Sequence, residues 1–131
     1  MTDSRGHALV VDDDDSIREV ATLALELVGG WRVFTADSGP SALDVAREER
    51  PDVVLLDVMM PGMDGLATLA RLREDPATSD ITVILMTAKA ATGDEPEWQG
   101  LGVAGVIAKP FDPMSLTTRV RELLDGQPSQ T

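Results

Sequence analysis

The sequence predicts an α/β domain, a doubly wound sheet of five parallel strands with helices on both faces. Five short apolar runs recur along the chain, segments with helical spacing separate them, and the runs are almost continuously hydrophobic rather than alternating with polar residues. Unbroken apolar runs suit strands covered on both faces. Regular alternation of strand and helix suits right-handed crossovers in one parallel sheet.

The elements follow in order. Candidate strands are Ala8 to Val11, Arg32 to Thr35, Val53 to Leu56, Ile81 to Met86 and Val103 to Ala108. After the first, Ser16-Ile17-Arg18-Glu19 reads as a capping box, with Ser16 and Glu19 each able to satisfy a free N–H at a helix start, and Gly29-Gly30 stops that helix. A second helix runs from Pro40, a good first-turn residue, through Leu43 and Ala46 to Glu49, and Pro51 ends it. The third spans about Asp64 to Glu74, with Leu66, Leu69, Ala70 and Leu72 near helical spacing and Pro76 preventing continuation. Gly93, Pro96, Gly100 and Gly102 leave room for only a short helix around Glu95 to Gln99. In the last helix Asp112 can cap, Pro113 lies in the first turn, and Leu116, Val120, Leu123 and Leu124 fall on one face. These elements place a domain over residues 7–125, with tails at 1–6 and 126–131.

Composition narrows the function. The chain has 131 residues, 43% hydrophobic, enough for one core. The absence of cysteine excludes a disulfide framework, a cysteine zinc site and a thiol nucleophile. Eleven basic against 23 acidic residues give a net charge of -12, which disfavours nucleic acid and anionic membrane surfaces as partners. Met1 to Gly6 lacks a basic-then-apolar signal pattern, and the longest apolar stretch, Leu101 to Ala108, is too short to span a bilayer. A cytoplasmic location is expected.

In a doubly wound sheet the site lies beyond the carboxyl ends of the strands. Asp12 to Asp15 follow the first strand, Asp57 ends the third, Thr87 follows the fourth and Lys109 the fifth, so all should converge on one edge. A carboxylate ending Val53-Val54-Leu55-Leu56 sits where desolvation is costly and wants a cation, a donor or a reaction. Asp12, Asp13 and Asp57 against Lys109 leave minus two when all are ionised, which a divalent cation neutralises. Oxygen ligands without histidine or cysteine select a hard ion, and Mg2+ needs only one or two carboxylates. With Lys109 and Mg2+ offsetting charge and the Thr87 hydroxyl donating, Asp57 can attack a phosphoryl group to give an aspartyl phosphate.

Val10-Val11-Asp12-Asp13, Leu56-Asp57, Met60-Pro61-Gly62-Met63-Asp64-Gly65, Thr87-Ala88 and Lys109-Pro110-Phe111 together resemble the receiver domain of bacterial response regulators, over about residues 7–125. The resemblance implies a CheY-like, flavodoxin-like fold with five helices and strand order 2-1-3-4-5. It implies Asp57 as phosphoacceptor, Asp12 and Asp13 as the acidic pair holding Mg2+, the Met59 carbonyl as a further ligand, and Thr87 and Lys109 on the phosphoryl group. A cis Lys109–Pro110 bond is also implied. The donor would be a histidine kinase or phosphotransfer protein, and the output a protein contact or homodimer through the 88–125 face. The expected protein is a stand-alone switch that catalyses only its own phosphorylation and dephosphorylation.

The sequence also departs from the family. Many receivers carry an aromatic three residues before the lysine, where this chain has Val106; switching would then rely on Thr87 and on the segment from Ala88 to Gly102, which includes Trp98. Met59 and Lys89 flank the acceptor where relatives often place acids or amides that orient water, so a long-lived phosphorylated state is expected. His7, the only histidine, falls at the far end of the first strand. Two rivals remain: a phosphatase of haloacid-dehalogenase type with Asp12 as nucleophile in Asp12-x-Asp14-x-Ser16, and a receiver-like interaction module that is never phosphorylated. A calcium loop starting at Asp12 fails because Ile17 and Leu23 stand where glycine and glutamate are required.

Overall fold

A computed structural model of the chain describes residues 6–88 and 102–125. The elements run β1 (His7–Val11), α1 (Asp15–Gly29), β2 (Arg32–Ala36), α2 (Gly39–Glu49), β3 (Val53–Asp57), α3 (Gly65–Glu74), β4 (Thr82–Thr87), β5 (Gly105–Ala108) and α4 (Pro113–Asp125). The strands form one sheet in the order β2-β1-β3-β4-β5, with every pairing parallel. Four helices are present among the described residues rather than the five expected; the helix expected around Glu95 to Gln99 lies outside them.

Side chains alternate across the sheet, and each face has its own core. Leu9, Val11, Val54, Leu56, Val83 and Leu85 meet Ala42 and Ala46 of α2 and Leu69 and Leu72 of α3. Ala8, Val10, Val53, Leu55, Ile84 and Met86 meet Ala21 and Leu25 of α1 and Leu116 and Val120 of α4. The expectation of burial on both faces holds for β1, β3 and β4, apart from the exposed His7 and half-buried Thr82 where β1 and β4 begin. It fails for β2, whose residues are exposed or half-buried except Ala36, and largely for β5. Both stand at the edges of the described sheet, where a neighbouring strand is lacking on one side.

The caps refine the helix boundaries. Asp14, not Ser16, caps α1: its extended backbone lets one carboxylate oxygen accept the N–H groups of Ser16 at 2.8 Å and Ile17 at 3.2 Å. A full negative charge at the helix N-terminus outcompetes a hydroxyl two residues further in, within the first turn. Ser38 caps α2, Asp64 caps α3, and Asp112 accepts the Met114 N–H at 3.0 Å at the start of α4. Gly30, at φ 73, ends α1 as the Gly29-Gly30 pair implied.

Candidate functional site

The parallel register brings the strand ends together. Val11 pairs with Leu56, Asp57 with Met86 and Thr87 with Ala108, so Asp12, Asp57, Thr87 and Lys109 all emerge at the same edge. The ladder continues past the strands: the Asp12 N–H donates to Ala36 O at 3.1 Å, Val58 to Met86 O at 3.0 Å and Lys109 to Thr87 O at 3.1 Å. Asp12, Asp57, Thr87 and Lys109 thus stand on a hydrogen-bonded main chain.

Asp12 is 0% exposed, Asp57 2% and Thr87 1%, whereas Asp13 faces solvent. One oxygen from each of Asp12, Asp13 and Asp57 lies within 4.8 Å of the others. Lys109 enters this acidic group with Nζ 2.8 Å from Asp12 Oδ2 and 3.3 Å from Asp57 Oδ1. Asp12 Oδ1 accepts the Asp14 N–H at 2.9 Å, and Asp57 Oδ1 accepts the Met59 N–H at 3.1 Å. The structure therefore gathers the predicted Asp12, Asp13, Asp57 and Lys109, sets Thr87 beside them at the end of β4, and anchors the loop at Met59. The Lys109–Pro110 bond is cis, as the resemblance implied.

Burial, with repulsion from Asp12 beside it, raises the Asp57 pKa to about 6, against the opposing pull of Lys109 and the Met59 N–H. Burial alone would lower Lys109, but its hydrogen bond to Asp12 and the charges of Asp12 and Asp57 outweigh it and hold the ammonium above its ordinary range. Among the described residues, the Lys109 ammonium alone does not balance two buried carboxylates and a third at the rim. A donor set of carboxylate oxygens, with neither imidazole nor thiolate among the clustered groups, fits a hard divalent cation such as Mg2+.

A family model for the response regulator receiver domain matches residues 8–121. The chain belongs to that family. It is 42% identical over 116 residues to the response regulator PleD of Caulobacter vibrioides, covering 88% of this chain and 25% of PleD. It is 41% identical over 118 residues to the transcriptional regulatory protein CseB of Streptomyces coelicolor, covering 90% of this chain and 49% of CseB. The chain thus spans less than half the length of either relative. Among solved structures, the N-terminal domain of a response regulator receiver protein from Methanoculleus marisnigri shares 38% identity at a TM-score of 0.74, over 98% of this chain and 100% of that one.

Two features of this site, the Arg18 contact and the close approach of Gly65, were not visible in the linear sequence. Arg18 curls back so that its Nη1 donates to the Asp12 carbonyl at 2.7 Å; the only signal for it is a cation one helical turn beyond an acidic strand end. Gly65 starts α3 so close to β3 that a Cβ there would lie 2.2 Å from the Asp57 carbonyl oxygen, a constraint hinted at only by a glycine following a helix-capping Asp64. Val106 packs against the α2/α3-side core, as a partly buried aliphatic residue can. His7 lies at the opposite end of β1, donates its main-chain N–H to Asp52 at 2.8 Å and meets the Phe34 ring edge-on. Lys89 and Trp98 lie outside the described residues. Among the described residues no helix is long and apolar enough to cross a membrane.

Proposed function

We propose that this receiver is the phosphoacceptor switch of a two-component or phosphorelay system. Residues 7–125 form the switch and Asp57 carries the phosphoryl group. The observation that carries the reading is the Lys109 ammonium, lodged between the Asp12 and Asp57 carboxylates at the end of the sheet where three acidic oxygens cluster. In the reaction an Asp57 oxygen attacks phosphorus as the P–N bond of a donor histidine breaks, and the imidazole leaves with the bonding pair. Lys109 offsets charge on the transferred oxygens and the Thr87 hydroxyl donates to one of them. Asp12, Asp13, Asp57 and the Met59 carbonyl would hold Mg2+, which supplies further neutralisation of the phosphoryl charge.

The donor under this reading is a sensor histidine kinase or histidine phosphotransfer protein, and the output a protein contact or homodimer through the 88–125 face. One feature disfavours the phosphatase alternative for Asp12: both of its carboxylate oxygens are engaged, one by the Asp14 N–H and one by Lys109. Incubation with Mg2+ and an acyl phosphate should add one acid-stable, base-labile phosphoryl group, and chelating the metal should prevent it. A chain that takes up none from either an acyl phosphate or a phosphohistidine donor is the interaction module instead.

Met59 bears on the lifetime of that state. Its side chain is 62% exposed beside the acceptor and has no good donor or acceptor to hold an attacking water. Met59→Asn should shorten the phosphoryl half-life about tenfold, the factor that about 1.4 kcal/mol of barrier represents. The decay of phosphorylated protein after donor removal measures it, and an unchanged half-life would remove Met59 from the account.

A further inference from the structure

Arg18 has no part in the chemistry above, yet it is tied to it. Its side chain is 19% exposed, although it shares an ion pair with Asp15, which is 91% exposed. The guanidinium reaches past that partner to the Asp12 main chain, where Nη1 donates to the carbonyl at 2.7 Å. Asp12 is thereby held at every polar atom: its N–H by Ala36, its carbonyl by Arg18, Oδ1 by the Asp14 N–H and Oδ2 by Lys109. β1 ends at Val11, so Asp12 lies in the turn to α1, where the ladder supplies a partner for its N–H but the carbonyl depends on a side chain. A bond from a charged donor is stronger than one between neutral groups, and a buried carbonyl left without one is costly.

We propose that Arg18 is a positioning residue of the phosphoacceptor site: held by Asp15, it fixes the Asp12 main chain and so aims the buried Asp12 carboxylate into the oxygen cluster shared with Asp13 and Asp57. The inference rests on the phosphoacceptor reading for its purpose, but its geometry can be tested without phosphoryl transfer. The bland account is an ordinary helical ion pair, worth little at a surface. Arg119 and Glu122 on α4 provide that comparison within the same molecule, at 3.7 Å and with both side chains half or more exposed.

The test is a Mg2+ titration of the full chain followed by backbone amide shifts, with no phosphodonor present, alongside phosphoryl uptake from an acyl phosphate at varied Mg2+. Arg18→Ala should raise the half-saturating Mg2+ concentration about tenfold, the lower end of the usual effect of losing a group that orients a metal ligand. The limiting uptake rate at saturating Mg2+ should change far less, because Arg18 touches none of the reacting atoms. Arg18→Lys, which keeps a charged donor, should recover part of the affinity. Asp15→Asn should weaken binding roughly twofold to threefold, as expected for loss of one exposed ion pair. Arg119→Ala should leave the titration unchanged. An Arg18→Ala titration that overlays Arg119→Ala overturns the proposal; if Arg18→Ala does not fold, an Asp15→Asn titration identical to wild type does so. A wild-type chain that binds Mg2+ but accepts no phosphoryl group defeats the phosphoacceptor reading alone and leaves the Arg18 comparison intact.

Discussion

Asp57→Asn should stabilise the metal-free fold at pH 7 by roughly 1–3 kcal/mol, because it removes a buried charge whose ionisation the fold resists. Burial and the neighbouring Asp12 raise the Asp57 pKa from 3.8 to about 6. A carboxyl group whose pKa is higher folded than unfolded contributes stability below the unfolded value, and that contribution is lost as pH rises through the folded value. The wild type should therefore lose stability relative to the variant between about pH 4 and pH 6, and the two should converge below that window. Lys109 keeps its 2.8 Å partner Asp12 in the variant, so no unpaired ammonium offsets the gain. Added Mg2+ should narrow the gap by stabilising the wild type more, since a ligand stabilises the state that binds it. Urea unfolding at several pH values, with and without Mg2+, measures all three effects. A variant less stable than wild type at pH 7 without metal would contradict the electrostatic account.

Gly65→Ala should destabilise the fold by about 3 kcal/mol, the upper range for forcing an added group into a packed site. The methyl group would stand 2.2 Å from the Asp57 carbonyl oxygen and 2.7 Å from Val58 Cα. Both obstacles are main chain, so no rotamer change relieves the clash. The Gly65 N–H also donates to Val58 O at 2.9 Å, which fixes the first turn of α3 against the loop carrying Met59. Pushing α3 outward would break that contact and shift the site loop. Gly62, in the same loop, has open space where a Cβ would go and only a φ of +73° against it. Gly62→Ala should therefore cost only about 1 kcal/mol. Thermal melts should rank the two in that order, with a shift on the order of 10 °C for Gly65→Ala. The reverse ranking would contradict the close approach of α3 to β3.

Much of this site was legible because strand ends in a parallel sheet are marked abruptly in sequence. Val10-Val11 giving way to Asp12, and Leu55-Leu56 to Asp57, locate both the strand and the edge at which it stops. Lys109 and Thr87 were legible for the same reason. What escaped depends on contacts at a distance from the local pattern. Ser16 and Glu19 make a plausible cap by spacing, but Asp14 takes the role because its carboxylate reaches two N–H groups from outside the helix. Arg18 looks like any helical cation until the Asp12 carbonyl is seen to be its acceptor. β2 carries Arg32 and Thr35 among its apolar residues, unlike the unbroken runs of the inner strands, and its pairing with β1 alone shows why most of it stays partly exposed.

The central claim is that Asp57 is the acceptor. Its most direct test is intact and peptide mass of wild type and Asp57→Asn after incubation with Mg2+ and an acyl phosphate. One phosphoryl group on the peptide containing Asp57, absent from the variant and absent without Mg2+, is the predicted result. A phosphoryl group on Asp12, or one that persists in Asp57→Asn, would contradict it.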